Sequence, residues 1–151
     1  MADFEVKVDD AEVLAALKRL RAFGLNPAPA MQDIATIGEN STRLRFRTES
    51  GPDGKKWKPS LRVQLRGGKT LTKSGHLGDS VSSNYSRTFA EWGVNRIYAA
   101  IHQFGGRAGR GLRLKIVARP YLGVSNEDSG DMLDAIQRRI QSASGGAVNA
   151  N

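Results

Sequence analysis

The 151-residue chain contains no cysteine and only two histidines, His76 and His102. Without cysteine there is no disulfide, no thiolate nucleophile and no sulfur-ligated metal. A zinc site would have to draw carboxylates from distant loops to supplement two imidazoles. No run of about 18 apolar residues exists, so no membrane-spanning helix is expected. Met1–Val8 is mixed and acidic instead of basic and then apolar, so no secretory signal is expected either. Aromatic residues make up only 7% of the chain. The length suits one domain with a modest core.

Paired acids are also missing from the places where hydrolytic chemistry would need them. Asp9-Asp10 and Glu127-Asp128 stand at expected helix starts, where carboxylates complement the N-terminal end of the dipole. His76 lies too close in sequence to Ser74 and Ser80 to orient a catalytic triad. His102, beside Gln103, reads as a structural residue of its helix. Gly68-Lys69-Thr70 looks superficially like part of a phosphate-binding loop. The upstream glycine and preceding buried strand of that motif are absent, and Gly67-Gly68 reads as a turn. The sequence therefore implies neither an enzyme nor a cofactor or metal site.

Charge is what the chain has in excess: a net +8, with 23 Lys and Arg against 15 Asp and Glu. Residues 43–73 hold ten of the cations (Arg43, Arg45, Arg47, Lys55, Lys56, Lys58, Arg62, Arg66, Lys69, Lys73) and only Glu49 and Asp53, leaving thirteen charges of each sign elsewhere. One segment carries the whole imbalance. It suits either nucleic acid, an acidic protein surface, or a solvated mobile loop.

Taken in order, Phe4, Val6 and Val8 alternate as a short strand. Asp9 or Asp10 then caps a helix with a stripe of Val13, Leu14, Leu17 and Leu20, stopped at Gly24. Asn26-Pro27 opens a second helix to about Arg47, with Met31, Ile34, Ile37, Ser41 and Leu44 as its stripe. Gly38 weakens that helix by about 1 kcal/mol relative to alanine. The two helices read as an antiparallel hairpin. Pro52-Asp53-Gly54 is a turn. Trp57, set among lysines, is either a stacking platform and interface anchor or a lid over the end of the hairpin. Residues 49–74 are expected to be extended or loosely ordered until a neighbour packs on them. Within them, Leu61, Val63 and Leu65 alternate as an edge strand or an ordered loop.

Ser82–Phe89 and Ala90–Val94 read as strands. A helix with Ile97, Ala100, Ile101 and Phe104 on its buried face follows, ended by Gly105-Gly106. Leu112–Val117 is a strand broken by Arg119-Pro120. Ser125-x-x-Asp128 caps a last helix with a stripe of Met132, Leu133, Ile136 and Ile140. The whole is an α+β domain: an N-terminal helical hairpin, a small mainly antiparallel sheet from about Val81 to Val117 with a long basic loop, and a C-terminal helix packed on that sheet. Residues 1–142 form the single domain and 143–151 a disordered tail.

Tyr98-Ala99-x-Ile101-His102-Gln103-Phe104-Gly105, followed by Ala118-Arg119-Pro120-Tyr121-Leu122-Gly123, resembles the phage virion morphogenesis family, the tail-completion proteins of Mu-like and related phages. Pro52-Asp53-Gly54 with Trp57, Ser74-Gly75-x-Leu77 with Ser80, and Gly93 fit the same resemblance in order, over roughly residues 30–140. The resemblance implies a structural virion protein that completes the tail and joins it to the head, assembled in the host bacterial cytoplasm. It also implies a hexameric ring beside other neck and tail proteins. Tyr98, His102, Gln103, Phe104, Gly105, Pro120, Leu122 and Gly123 are its structural motif residues. Trp57, Lys55, Lys56, Lys58, Arg62, Arg66, Arg119 and Tyr121 are the candidate interface. Arg119 either holds a neighbour's carboxylate bidentately or clamps the local backbone. The alternative function is non-specific binding of nucleic acid, including passing DNA, through the basic 43–73 segment.

Overall fold

The computed structural model describes residue 6 and residues 9–71, 76–94, 99–108 and 110–144. The expected strand at 4–8, the motif residues Ser74, Gly75 and Tyr98, Ile97 and the tail beyond Ser144 fall largely or wholly outside them. Val6 packs against the second of the two cores below.

Three helices build the first core. Helix α1 (Ala11–Ala22) starts where the Asp10 carboxylate accepts the amides of Glu12 and Val13. Helix α2 (Ala28–Thr48) starts after Pro27, with the Asn26 side chain accepting the Ala28 amide. Helix α6 (Asn126–Ala143) opens on the Ser125/Asp128 capping box. Val13, Leu17 and Leu20, Met31 and Ile34, and Met132, Ile136 and Ile140 meet in one cluster. Two expected stripe residues, Leu14 and Leu44, are exposed, because Ala16 and Thr42 take the inward positions beside them. Helix α6 lies on α1 and α2, not on the sheet as expected. Its apolar face matches theirs, and Arg139 fixes the α2 end through two hydrogen bonds to Asp33 (2.9 and 3.1 Å).

The ribbon of β1 (Val81–Tyr85) and β2 (Ala90–Val94) is covered by α2 instead. Trp92 of β2 lies so close to α2 that a Cβ on Gly38 would stand 2.2 Å from the indole. The helix-weakening glycine is thus the condition for the closest helix–ribbon approach. The expected strand to Phe89 ends at Tyr85, since Ser86–Phe89 close the turn. A second, separate ribbon pairs β3 (Gly106–Ala108) with β4 (Leu114–Ile116). The expected single sheet is two ribbons, because the chain reverses immediately after helix α5 (Ala99–Phe104). Gly105 sits there at φ +75°, where a Cβ would press on the backbone of Ile116 and Ala118 at 2.9 Å.

The second core gathers Phe46, Trp57, Leu77, Val81, Val94, Ala99, Tyr121 and Leu122. Leu77 comes from the short helix α4 (His76–Asp79). Phe46 meets Trp57 edge-on at 5.6 Å between ring centroids and Tyr121 at 5.3 Å.

Residues 49–71 are folded back on their own chain, contrary to the loose arm expected. Glu49 accepts the Trp57 amide through its carbonyl and the Thr70 amide through its carboxylate, each at 2.7 Å. Thr70, buried, accepts the Ser60 amide. Leu61–Arg66 is a helix, α3, capped by the Ser60 hydroxyl on the Val63 amide. The strand-like alternation also places Leu61 and Leu65 four residues apart, and a serine cap after Pro59 decides for the helical period.

Candidate functional site

Helix α5 and the Arg119–Gly123 segment form a polar clasp. The Gln103 side-chain oxygen accepts both the Tyr121 and Leu122 amides at 3.0 Å, and its amide nitrogen donates to the Leu122 carbonyl at 3.2 Å. The Tyr121 hydroxyl donates to the Ala99 carbonyl at 2.7 Å, and the Arg119 amide to the His102 carbonyl at 2.8 Å. One glutamine thus satisfies three buried backbone groups of an irregular segment that belongs to no β-ladder. This explains why Gln103 and Ala99 face inward while Phe104, expected in the core, is exposed.

A buried ion pair closes the clasp from the other side. Arg45 donates to the Asp128 carboxylate at 2.6 Å, to the Tyr121 and Gly123 carbonyls, and to the Ser41 hydroxyl. Asp128 also accepts the Ser41 hydroxyl and the Ser125 amide. Burial pulls the Arg45 pKa down, and the Asp128 charge opposes that shift. Burial likewise lowers the pKa of Arg119 and raises that of Tyr121. Arg45, counted in sequence with the basic 43–73 segment, is buried and takes no part in a basic surface. The signal was present in the helical spacing of Met31, Ile34, Gly38, Thr42 and Arg45, which puts the arginine on the buried stripe.

The candidate interface residues separate into two groups. Trp57, Arg119 and Tyr121 are buried. The Trp57 indole N–H donates to the Pro120 carbonyl at 2.8 Å, and Arg119 Nε to the Lys58 carbonyl at 2.7 Å. Within the subunit Arg119 therefore clamps backbone, and Trp57 ties the arm to the clasp instead of standing free as an anchor. Lys55, Lys56, Lys58 and Arg66 are exposed and Arg62 half-buried, with Lys56 and Arg62 donating to the Thr48 and Lys69 carbonyls. Leu61 and Leu65 lie open among them, 69% and 73% exposed. Of the motif residues, Leu122 is core, Gly123 offers its carbonyl to Arg45, and Pro120 is exposed. Among the described residues no group of three His, Cys, Asp or Glu could hold a metal ion, and no helix is long and apolar enough to cross a membrane.

Two consequences are measurable. Gln103→Leu leaves three buried backbone groups without partners and should cost about 2–4 kcal/mol in denaturant melts. An effect below about 1 kcal/mol would mean that the clasp is not held by this amide. His102 has its pKa lowered from 6.5 by burial and then by the Arg119 charge. The unfolded chain thus binds the proton more readily, so stability is lost as pH falls below about 6.5 toward the folded value. Thermal melts between pH 7 and pH 5 should show this loss, and His102→Gln should remove that part of it.

The sequence profile of the phage virion morphogenesis family matches residues 8–141. The chain belongs to that family. It is 38% identical over 138 residues to Mu-like prophage FluMu G protein 2 of Haemophilus influenzae, covering 91% of this chain and 96% of that one. It is 32% identical over 152 residues to the putative capsid assembly protein G of Escherichia phage Mu, covering 93% and 96%. No solved structure matches it. As a member of the phage virion morphogenesis family, the protein serves in building the phage particle.

Proposed function

We propose that this protein is a structural, non-enzymatic subunit of the phage neck or tail end. Identical copies close there into a hexameric ring that completes the tail and joins it to the head. The family match over residues 8–141 carries this reading. It is supported by the outer face of α3, where Leu61 and Leu65 stand exposed among Lys58, Arg62 and Arg66. Paired apolar and cationic groups of this kind, left open by the fold, suit contact with neighbouring neck and tail proteins. Imaging of assembled virions should show six copies of the chain around the particle axis. Single copies away from the axis would overturn the ring.

A second reading is favoured by the exposed cations of the arm. Lys55, Lys58, Arg62 and Arg66 form no ion pair among the described residues. On this reading the arm grips passing DNA through phosphates, without base recognition. Retention on DNA should then fall steeply between 50 and about 200 mM salt for any sequence. Sequence preference persisting at high salt would instead make nucleic-acid recognition the principal role.

A further inference from the structure

The β3–β4 ribbon is a second basic feature, separate from the arm in sequence. Residues 105–119 contain five cations and no acid. Arg107 and Lys115 stand directly opposite each other in the ribbon register, an arrangement that repels across the strands. Arg110 and Arg113 flank the tip. None of these four forms an ion pair among the described residues. No described side chain from Gly106 to Ile116 is buried, and Leu112 at the tip is 62% exposed. A ribbon so charged, with an apolar residue at its end, suits an anionic partner that also offers apolar surface.

The same chain carries such a surface. The starts of α1 and α6 enclose an open cleft of about 430 Å³ lined in part by Ala11, Gly130 and Leu133. Asp10, Glu12, Asn126 and Ser129 complete the lining, and exposed Glu127 and Asp131, one helical turn apart, follow the lining residues Asn126 and Gly130 directly in sequence. Among the described residues no hydrogen bond or ion pair joins ribbon to cleft within one subunit. We infer that the Gly106–Ile116 ribbon of one copy docks in the α1–α6 cleft of a second copy. Leu112 enters beside Leu133, and the ribbon's cations face Glu12, Glu127 and Asp131. The apolar tip and the apolar part of the cleft favour this partner over nucleic acid, whose phosphates need neither. Two different patches meeting head to tail leave a free ribbon and a free cleft at each step, which closes into a ring when the rotation permits. The inference rests on the proposed assembly of identical copies and supplies its joint.

Charge reversal with mixing tests it. The full chain should self-associate at low salt in sedimentation velocity. Arg107→Glu/Lys115→Glu and, separately, Glu127→Lys/Asp131→Lys should each weaken association about 100-fold, because like charges now face each other. Mixing the two variants should restore it, since each reversed patch then finds its opposite. Melting temperatures close to that of the parent protein show that the variants are folded. The unaltered protein offers an independent readout. Carbodiimide coupling in a mixture of labelled and unlabelled chains should join Lys115 of one copy to Glu127 or Asp131 of another. If the ribbon variant associates as well as the parent and no such cross-link forms, the joint lies elsewhere and the ring reading survives. If the parent protein is monomeric at every concentration, both fall. A ribbon variant that loses retention on DNA with self-association intact would overturn the docking and assign the ribbon to nucleic acid.

Discussion

Asp128→Ala should destabilise the protein by about 3–5 kcal/mol, the range for leaving one member of a buried ion pair alone. The carboxylate faces Arg45 at 2.6 Å, with both side chains 6% exposed. Its removal strands a guanidinium that cannot give up its proton, and takes the acceptor for the Ser125 amide from the start of α6. Domains of this size have about 5–15 kcal/mol in total, so the variant approaches the unfolding threshold. Arg45→Met combined with Asp128→Leu should recover only part of the loss, because it removes the desolvated charge but leaves the Tyr121 and Gly123 carbonyls and the Ser125 amide without these partners. Urea unfolding of the single and double variants closes the cycle. A loss below about 1 kcal/mol for Asp128→Ala would show that the pair holds nothing together.

Trp57→Ala should cost a similar amount, about 3–5 kcal/mol. The indole is 7% exposed, packs on Phe46 and donates to the Pro120 carbonyl. Truncation opens a cavity in the second core and frees the arm from the Arg119–Gly123 segment. As an interface anchor, Trp57 would leave the fold intact when removed; as a core residue it cannot. Lys55→Ala on the same arm, where the side chain is exposed, should stay within about 0.5 kcal/mol of the parent. Equal melting temperatures for Trp57→Ala and the parent would return the indole to the surface.

The three long helices were legible because each carries its own start signal and stripe. Asp10, Asn26-Pro27 and Ser125-x-x-Asp128 all act where the sequence puts them. Harder to read was which face of a helix is buried when the buried residue is polar: the spacing of Met31, Ile34, Gly38, Thr42 and Arg45 carries it in α2, and no comparable stripe marks Gln103 in the six residues of α5. Arg45 and Gln103 occupy inward positions because distant backbone carbonyls and amides need partners, and those needs arise only once residues 119–123 are in place. Leu44 and Phe104, more apolar than their neighbours, are exposed for the same reason. Leu61–Arg66 fits both periods over six residues, so only the cap and the surrounding hydrogen bonds separate helix from strand. The clasp residues were visible as a motif, whereas the ribbon's charge was hidden by a local excess balanced elsewhere in the chain.

Helix α2 belongs to both cores, giving Ala30, Met31 and Ile34 to the first and Phe46 to the second, while Trp92 touches both. Its 21 residues run about 31 Å as one continuous rod. Neither cluster can loosen without withdrawing support from the other through that shared spine. The molecule should therefore unfold in one cooperative step, with calorimetric and van't Hoff enthalpies in agreement. A load applied at the clasp would be borne along α2 by the three-helix end as well, so the subunit behaves mechanically as a single strut.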